Sequence, residues 1–502
     1  MRLVGVLSVV LPWIYVVSAS KPGLVNTNVI RTVDLQGLPF VREQVGVVVQ
    51  NEHDSKVYKT YTISVPMDKA PKLSQLSVHE RKSGEELDVS KETVSGDTQL
   101  YRATLRRGLQ PGEKLSLNID YLFVSLVEPR PKAVGQSEDQ SWLWEDQSLV
   151  ASVYPTRKQK TVVKTRGDVL RFTPADAVKD GRHSVVFGPY TSDKSSRVEV
   201  GFKDNREQME ALTHGREYFV SHWANDLNVL EHYALRNRGP ELSGGFDKVD
   251  QMVSKYMKRR DNLVKTLLVK VPADAREMYF VDEIGNVSTS AVSGRRKGEE
   301  PFKVLQMRPR YPMPGNWNYT WWHGYSVPLD RYLKISSAAA QPKHLLRLPF
   351  IGTLAGCASQ EGELTVAMAN AQNTAVRAYE LRVTLPEGAR DIDVKLPFAG
   401  QALLQPTKYY FDSVGRTVVV ITHENIAPEM SSRHILVSYS YAPLTLWMKP
   451  AVVAAALFML FMLASTASRM QYGLTPSSVS KPAGATTKSK ATKKQAAAGK
   501  TE

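Results

Sequence analysis

The chain has 502 residues, 42% of them hydrophobic, and a net charge of +15, which is enough apolar material for more than one buried core and excludes an intrinsically disordered chain. Its one cysteine, Cys357, excludes an intrachain disulfide and any zinc site built on several thiolates. Setting aside the basic C-terminal segment lowers the charge to about +9, no strong signature of nucleic-acid binding.

The chain opens with Arg2, the apolar stretch Leu3 to Val17 and the small-residue sequence Val17-Ser18-Ala19, the three parts of a secretory signal over residues 1–19. A buried N-terminal strand is the other reading. Short β-branched or aromatic runs bounded by Gly, Pro, Asp and Asn then predict strands at Val45–Val49, Tyr58–Val65, Leu115–Phe123, Thr161–Val163 and Val198–Phe202. After the polar run Lys203–Glu207 the texture resumes at Leu267–Val271, Leu364–Met368, Tyr379–Leu385, Thr417–Thr422 and Ile435–Tyr441. This spacing predicts a mainly β chain with two tandem, antiparallel, sandwich-like domains over 20–205 and 206–445. Two stretches differ. Glu207–Leu212 reads as a helical turn in the linker, and Val249, Met252, Val253, Tyr256 and Met257 fall at helical spacing. The second pattern predicts a covering helix with Lys255, Lys258, Arg259 and Arg260 toward water.

A weak repeat runs through the β region. Val65-Pro66-Met67-Asp68 recurs as Val271-Pro272-Ala273-Asp274 and more loosely as Leu385-Pro386-Glu387-Gly388. In the first two copies a Pro-Gly turn follows (Pro111-Gly112, Pro314-Gly315), then an aromatic strand reaching Tyr121 or Tyr325. Duplicated β-domains produce such a pattern, and so does ordinary strand punctuation.

Pro450 to Ser468 holds no charged residue. As a helix it spans about 28 Å, against a hydrocarbon core of about 30 Å. Leu444–Met448 lengthens the run, Trp447 and Tyr472 suit the interface, and Lys449 can snorkel, so 446–468 is expected to cross a membrane. Beyond it, Arg469, Lys481, Lys488, Lys490, Lys493, Lys494 and Lys500 face only Glu502, a net +6 that belongs on the cytosolic side. With the signal, this gives a single-pass type I protein whose N-terminal bulk lies across the membrane from the cytosol. The Ala/Ser/Thr/Lys composition of 469–502 predicts disorder. Its charge suits anionic headgroups or ribosomal RNA, and equally a plain stop-transfer role.

Two N-glycosylation sequons, Asn286-Val287-Ser288 and Asn318-Tyr319-Thr320, lie in the translocated part, so Asn286 and Asn318 are the expected modification sites. No catalytic set is legible, and no cofactor or metal is expected. His79-Glu80 and His423-Glu424 begin like zinc-protease helices, but Ser83 and Ala427 stand where the second histidine is required. Cys357, between Gly356 and Ala358, reads as a buried inert thiol, with a reactive or intermolecular role as the alternative. Trp142-Leu143-Trp144-Glu145-Asp146 fits a sugar or cation contact, or an exposed loop whose tryptophans pack on a sheet. Along Asn316–His323, strand alternation sends Trp317, Tyr319 and Trp321 to one face, either a contact surface or core.

Ser221-His222-Trp223-Ala224-Asn225, then Glu231 and Leu242-Ser243-Gly244-Gly245-Phe246, resemble the ribophorin I family of eukaryotic oligosaccharyltransferase subunits. Further matches run in order: Tyr154-Pro155-Thr156-Arg157, Gly188-Pro189-Tyr190, the string Asp282-Glu283-Ile284-Gly285-Asn286-Val287-Ser288-Thr289-Ser290, Arg308-Pro309-Arg310-Tyr311-Pro312, Gly324-Tyr325, Leu385-Pro386-Glu387-Gly388-Ala389 and Gly415-Arg416. The nine-residue string is the most specific. The resemblance implies tandem lumenal β-domains, one membrane helix and a place in the endoplasmic reticulum membrane. It implies a non-catalytic subunit of a complex in which a separate multi-spanning subunit transfers a dolichol-linked glycan to Asn-x-Ser/Thr. The implied partners are the other subunits, including the catalytic one, the unfolded nascent polypeptide, membrane lipid and, through the basic tail, the translocon or ribosome. Asn286 matches the family's glycosylated position; Asn318 has no such counterpart. Animal members add a folded cytosolic domain that meets the ribosome, whereas 34 residues follow Ser468 here, so docking through such a domain is not expected. Ser293–Lys297 and Ser336–Ala340 look local to this chain. A membrane-anchored lumenal hydrolase and a stand-alone chaperone or cargo receptor are the alternative readings.

Overall fold

Strand alternation and β-branched runs build most of this protein. The computed structural model describes residues 23–470 except 176, 192–194, 258–260, 294–301, 337–341, 353, 355, 359–373, 399, 410–411 and 413. The expected signal segment, the tail beyond 470, the strand at Leu364–Met368, most of the two local stretches, the side chains of Cys357 and Lys255 and the basic cluster 258–260 lie outside the described residues. The chain divides into two units, Met1–Leu446 and Trp447–Glu502.

In the first half of the larger unit, a seven-stranded sheet runs in the order β13 (Val178–Lys179), β14 (Ser184–Tyr190), β11 (Gln159–Lys164), β1 (Leu24–Asp34), β2 (Phe40–Asn51), β7 (Lys114–Val124), β4 (Leu73–Glu80). A second sheet runs β12 (Val169–Thr173), β15 (Arg197–Lys203), β10 (Ser141–Gln147), β8 (Val127–Pro129), and a third β3 (Tyr58–Pro66), β6 (Thr98–Leu109), β5 (Val89–Ser95). Between them lies a core that includes Val33, Val47, Phe187 and Phe202. Trp142 and Trp144 belong to it. Their segment is the strand β10 rather than a loop, and both indoles are buried, with Trp142 Nε1 donating to the Asp204 carbonyl at 2.9 Å.

The second half repeats this plan. Its eight-stranded sheet runs β21 (Gly285–Asn286), β20 (Arg276–Asp282), β24 (Asn318–Pro328), β17 (Asp226–Asn237), β16 (Met209–Ser221), β28 (Ala375–Thr384), β31 (Arg416–Ile426), β30 (Leu403–Thr407). The two others run β22 (Ser290–Ser293), β23 (Phe302–Met307), β19 (Thr266–Pro272), β27 (Gly356–Ala358), and β25 (Leu333–Ser336), β26 (Lys343–Pro349), β32 (His434–Ser440), β29 (Arg390–Lys395). Pairing β1 with β16, β2 with β17, β7 with β24, β4 with β20, β11 with β28, β14 with β31 and β13 with β30 superposes one large sheet's order on the other. Among the described strands, the pairings within each half are antiparallel except for one matching parallel pair, β1 with β11 and β16 with β28. The strand order β12-β15-β10-β8 likewise maps onto β29-β32-β26-β25, and β3-β6-β5 onto β19-β23-β22. The Val65-Pro66 and Val271-Pro272 repeats fall at the ends of the equivalent strands β3 and β19, so the repeated tetrapeptide marks a repeated topology.

Two local expectations are corrected. Glu207–Leu212 is not a helical turn, because Met209 onward is strand β16, pairing with β17 on one side and β28 on the other. A bulge between Ala211 and Thr213 shifts the register there, and sheet pairing overrides the local pattern. The helix at 248–257 exists as α1 (Lys248–Tyr256), yet among the described residues its apolar side packs on no core. Its polar side is the inner one: Ser254 is buried, and Ser137 hydrogen-bonds Ser254 at 2.9 Å and Asp250 at 3.0 Å. Val249, Met252, Val253, Tyr256 and Met257 all face outward.

The halves are joined by specific contacts. Glu210, buried at the start of β16, accepts from Ser125 Oγ at 2.9 Å and from Arg377 at 3.1 Å. Phe40, Leu122, Val124, Ala375 and Ala427 form a small apolar cluster between the two cores. Ala133–Val134 (β9) pairs in parallel with Glu241–Leu242 (β18). The described part of the smaller unit holds the helix α2 (Met448–Arg469), apolar on all sides; the helical stretch Leu444–Arg469 is long and apolar enough to cross a membrane.

Candidate functional site

Alternation along β16, β17, β24, β28 and β31 divides their side chains between two faces. The inner set, including Tyr218, Tyr233, Trp321, Leu381 and Ile421, fills the second core. The outer set floors a cleft of about 940 Å³: Glu217, Leu230, His232, Trp322, Glu380, Arg382 and Glu424. The facing wall comes from the first half, with Met67, Pro71 and Leu73 around the β3–β4 connection and Lys91, Gln99 and Tyr101 on β5 and β6. The walls are tied together where the Asn425 amide donates to the Pro71 carbonyl at 2.7 Å.

Along the floor, His232 lies flat on Trp322 with ring centres 4.8 Å apart. Burial holds the His232 pKa below its usual value, so the stacked pair presents an uncharged aromatic surface at neutral pH. Met67, Leu73, Tyr101, Leu230 and Trp322 thus supply apolar contact, and Glu217, Glu380, Glu424, Lys91 and Arg382 supply charge beside it. This arrangement suits binding of an extended, mixed-polarity chain. Among the described residues, no group of three or more His, Cys, Asp or Glu side chains is arranged to hold a metal. His79 and His423 lie on the strands β4 and β31, so neither His-Glu pair starts a helix.

Beneath the cleft floor sits a buried charge centre. Glu231 accepts from Arg216 at 3.0 Å, from the Tyr233 hydroxyl at 3.0 Å and contacts His214 Nε2 at 3.3 Å. Burial pushes this carboxyl up, but the Arg216 guanidinium and the His214 hydrogen bond outweigh it and hold the pKa at about 2. His323, fully buried beside it, is pushed down to about 4 by burial against the pull of Glu231. The equivalent strands of the first half carry a counterpart: Arg31 Nε donates to Glu43 at 3.0 Å, Lys69 reaches Glu43 at 3.2 Å, and both cations pair with Asp146. Each half is therefore pinned between its first two strands by a buried arginine–glutamate pair.

The sequons lie toward one side of the eight-stranded sheet, Asn286 on its edge strand β21 and Asn318 at the start of β24, third in the order. Asp282 accepts from the backbone N–H of Ile284 at 3.0 Å and of Gly285 at 3.1 Å, closing a hairpin in which Gly285 takes φ +137. The Tyr319 hydroxyl at 3.2 Å and Arg310 also donate to Asp282, and Arg310 reaches the carbonyl of Asn286 at 3.2 Å. Burial raises the Asp282 pKa and these hydrogen bonds, Arg310's foremost, carry it below the usual carboxylate range. So Asp282-Glu283-Ile284-Gly285 and Arg308-Pro309-Arg310 form one structure that presents Asn286 exposed on β21. Asn318 is exposed at the start of β24. Trp317 lies outside that strand and faces solvent, whereas Tyr319 and Trp321 are core, so the aromatic run is mainly packing. Trp322, His423 and Glu424 stand out in the sequence, but nothing local shows that they line one cleft; the period-two pattern of Leu230 and His232 is the signal available for the rest.

A membrane-anchored, duplicated β-protein with a cleft between its halves is the class these features define. The family model for ribophorin I matches residues 24–468, and the chain belongs to that family. It is 32% identical over 370 residues to dolichyl-diphosphooligosaccharide–protein glycosyltransferase subunit 1B of Arabidopsis thaliana, covering 73% of this chain and 74% of that protein. It is 28% identical over 437 residues to subunit 1 of the same name from Caenorhabditis elegans, covering 84% of this chain and 68% of that one. A solved M1 zinc metallopeptidase from Deinococcus radiodurans matches 40% of this chain and 48% of its own at 14% identity, with a TM-score of 0.22, too slight a likeness to bear on function.

Proposed function

We propose that this chain is a non-catalytic subunit of the oligosaccharyltransferase complex in the endoplasmic reticulum membrane, with α2 as its single span, residues 20–445 in the lumen and the basic tail in the cytosol. The observation that carries the reading is the family match along the lumenal region and the span, together with relatives named as subunit 1 of that transferase. Residues 20–205 and 206–445 form its two domains, a division supported by the separate cores and the repeated strand order. The cleft between them receives unfolded nascent polypeptide. An extended segment lays its apolar side chains on Leu230, Trp322 and Tyr101 while its polar groups meet Glu217, Glu380 and Arg382. The glycan transfer itself occurs on another subunit, and this one holds acceptor chains near it. Asn286 and Asn318 carry glycans, as their exposure allows. The tail lies near lipid headgroups and the translocon or ribosome.

Depletion tests the role: secreted glycoproteins should then show empty sequons, and unchanged occupancy refutes it. Replacing Trp322 with Ser, with the protein still assembled with its partners in mild detergent, should reduce occupancy at a subset of sites. Glycosidase digestion of wild type, Asn286→Gln and Asn318→Gln reports each modification by gel mobility.

A further inference from the structure

The motif Ser221-His222-Trp223-Ala224-Asn225 forms the tight turn between β16 and β17, and Trp223 at its tip is 68% exposed. An indole there adds to neither core. The preceding side chain points inward: the His222 ring stacks on Tyr441 at 4.5 Å, meets His344 edge-on at 5.1 Å, and its Nε2 lies 2.8 Å from the Tyr439 hydroxyl. Tyr439 lies on β32, the last strand of the second half, and Tyr441 follows it. The chain stays on that half a few residues longer, since Leu446 packs against its core. Leu444 in this stem is 77% exposed. From Tyr441 to Met448, where α2 begins, seven residues can reach at most about 25 Å. The hairpin tip is thus clamped by His222 to the stem from which the apolar helix departs.

We propose that Trp223 is an interfacial anchor, its indole seated in the headgroup layer of the phospholipid leaflet at which Leu444–Arg469 enters the bilayer. Tryptophan favours this layer because its ring is apolar and its N–H still finds a polar partner. A lipid surface is the occupant argued for because the exposed indole is tied to the membrane-entering stem by ring stacking and a short stretch of chain. A helix alone leaves a tethered domain free to tilt, and a second attachment at Trp223 fixes the second half, and the cleft it floors, relative to the bilayer. The proposal rests on the reading of Leu444–Arg469 as a membrane span.

The test uses the full chain reconstituted in phosphatidylcholine vesicles, with Cys357→Ser and a nitroxide on Ala224→Cys. Relaxation by oxygen and by a water-soluble nickel chelate should place the label in the interface. Chelate collisions should be reduced about threefold relative to a label on Val94→Cys, an exposed position in the first half, and Trp223→Ser should restore them. A second measurement leaves the cysteine in place: quenching of tryptophan emission by brominated lipid should fall in Trp223→Phe. Equal chelate access at both labels, with quenching unchanged by Trp223→Phe, overturns the proposal. So does protection that emerges only when other membrane subunits are co-reconstituted, which assigns the indole to a protein partner. Extraction of the chain from vesicles by alkaline carbonate instead refutes the span itself, and the anchor with it.

Discussion

Glu231 shows how much a single side chain carries here. Its carboxylate is fully enclosed and is balanced by Arg216, so removing its charge leaves a buried guanidinium without its partner. Glu231→Gln is expected to destabilise the second half by about 3–5 kcal/mol, read as a lowered midpoint in chemical unfolding. The neighbouring histidines set a pH dependence. His222 and His323 sit at about 4 in the folded protein against about 6.5 in an unfolded chain. The unfolded state therefore binds more protons between these values. The stability they confer is complete above about pH 6.5 and is lost as pH falls toward 4. Glu231, depressed to about 2, adds a further loss from about pH 4.5 downward. Melting temperatures measured from pH 7 to pH 4 should fall steadily, and Ser137→Ala, whose partners Asp250 and Ser254 are none of these groups, should leave the slope unchanged.

At the scale of elements, the helix α1 departs most from what its sequence implies. Helical spacing of apolar residues usually marks the face that packs inward. Here Ser137 of the first half grips Asp250 and Ser254, and the apolar stripe, with Tyr256 88% exposed, is left outside. Periodicity reports that a helix forms; which face is inner depends on partners more than a hundred residues away in sequence. Ser137→Ala removes both hydrogen bonds, and faster amide exchange over 248–256 with a global stability change of about 1 kcal/mol or less is the expected result. The strand β16 teaches the same lesson from the other direction. Its first residues look helical in isolation and become strand because β17 and β28 offer their edges on both sides. By contrast β2, β3, β7, β11, β15, β19, β28, β31 and β32 are legible directly, since each holds a short β-branched or aromatic run with turn residues near its ends.

For the whole molecule, duplication is the organising fact. Two cores with the same strand order meet through Glu210, Asn425 and a small apolar cluster, a joint far more polar than either interior. Glu210→Ala strips the acceptor from Ser125 and Arg377 at once. It should loosen the joint more than either core, seen as faster proteolysis at Lys203–Gln208 and two separated transitions in calorimetry where wild type shows closer ones.

The sequence by itself determined the β character, the membrane-crossing helix, the family and the tetrapeptide that marks the duplication. These depend on local composition, period and spacing, which survive without any knowledge of what packs where. Only the tertiary structure decided that the halves share one topology, that Glu231 and Arg216 are a buried pair, that Trp322 and His232 floor a cleft walled by the other half, and that His222 ties a hairpin to the stem of the anchor. Each of these joins residues distant in sequence, and such contacts are fixed by strand register and by burial of charge, neither of which is written in a local pattern.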